Sequence, residues 1–299
     1  MASSKWDIEQ IPDQSGKVII VTGATSGLGK QATQVLAGKN ATVIMAVRNT
    51  EKAAGVRQAF LKANPNAKIE IAQLDLSNLQ SVEAFAADFN KQYDRLDVLI
   101  NNAGVMMCPY SKTADGFEIQ MGTNHFGHFA LTGHLMPKLR ATAGSRVVAT
   151  SSMAHIGGNI DFQDINWENR DYNTSRAYGD SKIANLYFTY EFARKYKDDP
   201  QAPRITAAHP GWTTTELQRH AGNMNFLNRF FGQDVSMGVL PTLRAAYDPE
   251  AQAGDYFGPK GFMEMGGHPK KVRSNKRSQD QAIAEKLWTV SEEMTGVKY

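Results

Sequence analysis

Tyr178 and Lys182 stand four residues apart in a stretch of helical character, so their side chains share one face. A phenol with an ordinary pKa near ~10 is a poor acid–base group at neutral pH. A neighbouring ammonium favours the phenolate and draws that value down. Moving it by about three units requires on the order of 4 kcal/mol. An exposed charge pair supplies less than ~1 kcal/mol. The pair can therefore work only in a desolvated cleft, helped by a positive charge on a bound cofactor. Taken alone, the spacing describes a solvated helix face; its companions decide the reading.

The first companion is a glycine-rich turn, TGATSGLG at 22–29, between a short β-branched run and a helix. Gly23, Gly27 and Gly29 permit close backbone approach, and the N–H groups at a helix start attract a pyrophosphate. Thr25, Ser26 and Leu28 fill the turn and complete the expected phosphate cradle. The pattern is a near miss for a phosphate-binding P-loop. Gly23 to Gly29 is one residue too long, and Gln31 follows Lys30 where Ser or Thr would bind Mg²⁺. A nucleoside triphosphatase is disfavoured. The second companion is Arg48, nineteen residues beyond Gly29 at the end of the next apolar run. Asp or Glu there would suit the ribose of NAD, whereas Arg suits a 2′-phosphate, so the expected cofactor is NADP(H). An unpartnered surface Arg is the alternative.

These residues need a scaffold. Apolar runs at 17–22, 41–47, 68–74, 96–100, 146–150 and 205–209 read as buried strands. Between them lie helical stretches to about 39, at 50–63, from 77, at 116–140 and at 177–197. Ser77 and Gln80 have capping-box spacing. The alternation predicts one α/β domain with a doubly wound parallel sheet. Ligands then gather beyond the carboxyl ends of the strands, at 22–29, 47–49, 74–76 and 100–104.

The residues at 22–29, the NNAG run Asn101–Asn102–Ala103–Gly104, the YxxxK spacing of Tyr178 and Lys182, and PGWTTT at 210–215 together resemble the short-chain dehydrogenase/reductase family. NNAGVMMCPYSKTADGFE at 101–118 and GTNHFGHF at 122–129 are similar to its retinol dehydrogenase subgroup. The resemblance runs from about Lys17 to Gly211. It implies a Rossmann fold and NADP(H)-dependent interconversion of a hydrophobic alcohol with its aldehyde or ketone, Tyr178 moving the proton. Under it Ser152 would bond the substrate oxygen, with Ser151 the neighbouring alternative. Asn124 would hold a water linking Lys182 to solvent; a buried amide that shapes the helix is compatible with this. Lys182 would also bind the nicotinamide ribose beside Tyr178. Thr213 and Thr215, after Pro210 and Gly211, would hold the carboxamide and diphosphate. Asp75 and Leu76 would line the adenine, although Asp75 could also be a turn residue, and Asn102 with Gly104 would line the adenosine ribose. Ser152 and Tyr178 are 26 residues apart, and the Asn- and Asp-rich insert at 157–176 is expected to form a rim beside the cleft.

The remaining sequence mostly excludes. The 299 residues are 41% hydrophobic and 21% charged, with net charge +3 and one cysteine. Such a chain buries a large core, forms no internal disulfide and carries no strong nucleic-acid bias. No N-terminal apolar leader or membrane-length run is present, so a cytoplasmic protein without a membrane anchor is expected. His125 and His128 lack an acidic metal-ligand motif, so no metal is expected and the pair should pack or bond within its helix. Cys108 reads as a buried thiol, and the cluster Lys270, Lys271, Arg273, Lys276 and Arg277 as a solvated surface or subunit contact in a possible homo-oligomer. No Gly-x-Ser-x-Gly elbow suggests a hydrolase. A segment near 212–237, with Leu217, Met224, Phe226, Leu227, Phe230 and Phe231, is placed to act as a substrate lid; packing its own small core is an equal reading. Two rival functions stay open: a non-catalytic NADP sensor or scaffold, and a sugar-nucleotide epimerase.

Overall fold

A computed structural model describes residues 5–213 and 233–299. Thr215 and the apolar positions 217–231 of the expected lid lie outside the described residues.

Eight strands form one sheet in the order β3-β2-β1-β4-β5-β6-β7-β8. They are β1 (Val18–Thr22), β2 (Thr42–Val47), β3 (Lys68–Gln73), β4 (Val98–Asn101), β5 (Arg146–Thr150), β6 (Arg204–Ala208), β7 (Tyr256–Pro259) and β8 (Pro269–Val272). Seven run parallel, and β8 pairs antiparallel with β7. In β1 every residue is buried, because helices cover both faces of the sheet and leave no face for polar alternation. The chain reverses its winding between β1 and β4, where Ile20 sits between Ile44 of β2 and Leu99 of β4. A ligand crevice belongs at that reversal.

The helices are α1 (Gly27–Gly38), α2 (Thr50–Ala63), α3 (Leu79–Gln92), α4 (119–141), α5 (Thr174–Lys195), α6 (Leu240–Tyr247) and α7 (Gln281–Thr295). Two sequence expectations need correction. Helix α3 starts at Leu79 and is capped by Asn78, whose side chain accepts the Ser81 N–H; Ser77 bonds Asp75 instead of forming a capping box. The stretch expected as a helix from 116 begins at Ile119 and is interrupted by a π turn at Gly122–Phe126 that carries Asn124. Strands β7 and β8 and helices α6 and α7 were not foreseen. The 252–269 stretch is broken by Gly and Pro, so its short strands carry no periodic signal. Helix α7 does carry one: Asp280 caps it, and Ala284, Leu287, Trp288 and Ser291 line its buried side.

α7 lies against α5, and beyond it the chain brings Tyr299 into an aromatic cluster with Phe129, Phe188, Phe192 and Trp288. The Tyr299 hydroxyl donates to the Phe129 carbonyl at 2.6 Å, and its ring abuts Gly133. Tyr299→Ala is expected to cost about 3 kcal/mol through the lost ring contacts and the lost hydrogen bond. Thermal denaturation should then show Tm lower by about 5–10 °C; an unchanged Tm would mean that the cluster closes without it. Among the described residues no helix is long and apolar enough to cross a membrane.

Candidate active site

Thr22, the last residue of β1, organises the crevice floor. Its hydroxyl accepts the N–H groups of Asn102 and Ala103, both at 2.9 Å, and its carbonyl accepts the Asn102 amide at 2.8 Å. Gly23 turns away with φ +68°, and its N–H bonds Ala46 of β2. Gly29 packs beneath: a Cβ there would collide with the Gly23 carbonyl oxygen and lie 2.5 Å from the Asn102 amide nitrogen. The glycines thus draw α1 onto the ends of β1 and β4.

The start of α1 differs from those of α2, α3, α5 and α7. Asn49, Asn78, Asn173 and Asp280 each cap their helix with a side-chain hydrogen bond, whereas Ser26, a residue type well suited to capping, makes none. The first N–H groups of α1 are therefore available to an anion. Thr25, Ser26, Gly27 and Leu28 are half-buried around that opening, and Arg48 is exposed at the end of β2 without an ion pair among the described residues. Asp75 is half-buried; its carboxylate accepts from the Ser77 N–H and hydroxyl, so it is a turn residue with an edge on the crevice. Leu76 packs its backbone against Gly127 of α4. This end of the crevice fits a dinucleotide with a 2′-phosphate.

Tyr178, Lys182 and Ser152 come together at the other end. Tyr178 and Lys182 are buried on α5, with Lys182 Nζ 5.6 Å from the centre of the tyrosine ring. The Ser152 hydroxyl accepts the Ala154 N–H at 3.2 Å and pulls the pKa of the nearby tyrosine hydroxyl down. Ser151, the alternative, points elsewhere: its hydroxyl donates to the Lys182 carbonyl at 2.8 Å. Lys182 Nζ donates to the Thr150 carbonyl at 3.2 Å. The side chain of Asn124 is fully engaged. It accepts the Val105 N–H at 2.8 Å and donates to the Val105 carbonyl and to Ser181 Oγ, each at 2.9 Å. Ser181 in turn donates to the Tyr178 carbonyl at 2.8 Å. The amide therefore bolts the loop after β4 to the helix that carries Tyr178. Gly104 must be a glycine here, because a Cβ would lie 2.8 Å from Asn124 Oδ1. Sequence reasoning missed Thr22 and Ser181, which act through position alone.

In the ligand-free chain, burial outweighs the pull of Lys182 on the phenol. Burial pushes the Tyr178 phenol up to about 12, with Ser152 pulling weakly the other way. Burial also draws Lys182 down to about 8. Desolvation dominates at both groups, because burial removes the water that would solvate either charge. Without a ligand, the phenol is a held proton and not a phenolate.

Pro210, Gly211 and Thr213 leave the end of β6. Gly211 has φ +68°, and the Thr213 hydroxyl donates to the Pro210 carbonyl at 2.8 Å. The 157–176 insert docks on the loop that follows β4. The Tyr172 hydroxyl donates to the buried Glu118 at 2.6 Å and accepts from Gln120, whose side chain also accepts the Met107 N–H. Arg170 lies 3.7 Å above the Trp167 ring. His125 bonds Ser291, and His128 spans Thr22 and the Asn124 carbonyl; burial draws them to about 3 and about 4, so both are neutral. Cys108 is half-buried rather than buried, with its thiol pushed up by burial and by Glu118. Lys270 and Lys271 lie in β8, Lys271 pairs with Asp255, and Arg277 donates to the Gly158 carbonyl.

A mostly parallel sheet with a glycine-rich turn, an open helix start and a buried Tyr–Lys pair beside half-buried Ser152 has the architecture of an α/β nucleotide-dependent oxidoreductase. Comparisons with known proteins specify it further. Residues 17–225 match the family model for short chain dehydrogenases. Human retinol dehydrogenase 13 is 38% identical over 294 residues, covering 95% of this chain and 86% of that protein. Human retinol dehydrogenase 11 is 40% identical over 287 residues, covering 94% and 86%. A crystal structure of a Mycobacterium paratuberculosis protein matches with TM-score 0.84 and 38% identity over 99% of each chain. A Shigella flexneri short chain dehydrogenase, crystallised with NADP, matches with TM-score 0.65 and 25% identity over 82% of this chain and 97% of that one. The chain belongs to the short-chain dehydrogenase family and is an oxidoreductase acting on CH–OH groups.

Proposed function

We propose that the chain interconverts a hydrophobic alcohol and its aldehyde or ketone with NADP(H), using Tyr178 as general acid and base. The observation that carries this reading is the buried pair of Tyr178 and Lys182 on one face of α5, with Lys182 Nζ 5.6 Å from the tyrosine ring and Ser152 just beyond the end of β5. Bound NADP(H) supplies or accepts the hydride. Ser152 donates to the substrate oxygen and fixes the carbonyl, Tyr178 passes its proton to that oxygen, and Lys182 biases the phenol toward release. Lys182 and Tyr178 also hold the nicotinamide ribose. Asn124 keeps α5 in register with the loop after β4; its main-chain carbonyl, which already accepts from His128 Nδ1, can take a relay water on its second lone pair. Gly23, Thr25, Ser26, Gly27, Leu28 and Gly29 receive the diphosphate; Arg48 takes the 2′-phosphate; Asp75, Leu76, Asn102 and Gly104 line the adenosine; Pro210, Gly211, Thr213 and Thr215 take the nicotinamide. The names of the relatives support a hydrophobic substrate.

An aldehyde and ketone panel that includes retinal, followed through NADPH absorbance, tests the reading. Turnover should favour NADPH over NADH. Arg48→Asp should weaken NADPH by roughly 10- to 150-fold, the worth of a charge-assisted phosphate contact, and leave NADH nearly unchanged. Equal kinetics with both cofactors in the unaltered chain would sink the assignment to Arg48. NADPH binding without turnover on any member would favour the sensor, and an epimeric product without net NADPH loss the epimerase.

A further inference from the structure

The turn at 261–267, between β7 and β8, is built against the expectations of burial. Phe262 and Met263 are 82% and 59% exposed, yet the adjacent Glu264 carboxylate is turned inward. Met263 and Glu264 both adopt left-handed backbone, with φ 49° and 57°, a conformation that side-chain-bearing residues hold only under constraint. Burial of apolar surface does not explain such a turn. What it touches does.

Glu264 Oε2 lies 2.9 Å from Nε2 of His209, a side chain only 1% exposed. The other ring nitrogen, Nδ1, accepts the Gly211 N–H at 3.2 Å. Nδ1 therefore carries no proton, and the ring proton is on Nε2, donated to the carboxylate. Gly258 leaves the ring no room to tip, since a Cβ there would collide with Nε2. The backbone joins the same grip. The Trp212 N–H donates to the Met265 carbonyl at 2.8 Å, and a Cβ on Gly211 would lie 2.5 Å from that oxygen and 2.8 Å from the Glu264 carbonyl. Gln233 completes it, donating to the Pro210 carbonyl at 2.6 Å and accepting the Gly267 N–H at 3.1 Å.

We propose that Glu264 is a positioning residue for the nicotinamide half of the cofactor, acting through His209 on the Pro210–Thr213 turn. The proposal rests on the reading above that this turn takes the nicotinamide. Glu264 fixes the tautomer and tilt of His209, and His209 fixes the Gly211 amide. Gln in place of Glu264 keeps an oxygen that can accept from Nε2–H; Ala does not.

Fluorescence titration with two probes separates the possibilities: NADPH, and adenosine 2′,5′-bisphosphate, which has the adenine half alone. Glu264→Ala should weaken NADPH about 10-fold, the loss of one charge-assisted bond, and leave the bisphosphate within about twofold. Glu264→Gln should bind NADPH within about threefold of the unaltered chain. The proposal is overturned if Glu264→Ala binds NADPH normally, if it loses both probes alike, or if Gln fails to rescue. Should Glu264→Ala not fold, Glu264→Asp, one methylene short of His209, carries the same comparison. If the unaltered chain binds NADPH no more tightly than the bisphosphate, the nicotinamide reading itself fails, a pattern distinct from a loss confined to the variants.

Discussion

Tyr178→Phe is expected to lower kcat by about 10³-fold or more, while the Kd for NADPH changes by less than about threefold. The substitution removes one oxygen from a buried site and leaves the ring, so the cofactor crevice keeps its shape. What disappears is the proton that Tyr178 would pass to the substrate oxygen. Because burial holds that phenol near 12, it is protonated throughout the working pH range and suited to act first as an acid in carbonyl reduction. Steady-state rates with a responsive aldehyde, paired with fluorescence titration of NADPH, check both halves. Turnover retained within about tenfold would remove Tyr178 from the chemistry, since general acid–base catalysis is worth about 10²–10⁴.

The second large effect falls on Gly29, which has no freedom to be anything else. Gly29→Val would drive its side chain into the Gly23 carbonyl and the Asn102 amide. Neither can yield: the carbonyl belongs to the turn, and the amide is fixed by Thr22. Overpacking against backbone should cost about 3 kcal/mol or more and push α1 off the crevice, abolishing NADPH binding. Gly38, at the other end of α1, has nothing within 4 Å of the point where a methyl group would stand, and Gly38→Ala should change stability by less than about 1 kcal/mol. Denaturant unfolding of the two variants side by side provides the measurement. A Gly29→Val chain as stable as Gly38→Ala would refute the steric argument.

The fold was legible in the sequence because parallel strands buried on both sides are continuous apolar runs, as β1, β2 and β5 show. Their ends were less so. Asn78 rather than Ser77 caps α3, since the cap depends on backbone direction, which residue type does not specify. The π turn under Asn124 has no pattern of its own. At the site, the Tyr178–Lys182 pair was readable from spacing, but the direction of the phenol's shift was not, because it depends on how much water each group loses. The choice between Ser152 and Ser151 rested on resemblance; geometry separates them, one facing Tyr178 and the other tied to the Lys182 carbonyl. The bond between His209 and Glu264 joins residues 55 apart in sequence, and only the folded chain brings them together.

The strand order places β3 and β8 at the two margins of the sheet. Each margin offers unpaired backbone groups that a neighbouring molecule could extend into a fibril. Lys68 and Glu70 stand exposed along β3, and Lys270 and Lys271 along the four residues of β8. Another sheet approaching either margin would have to strip water from these charges. An ordered polymer built strand upon strand is thereby disfavoured at both ends of the molecule, including the β8 margin, which adjoins the turn that carries Glu264.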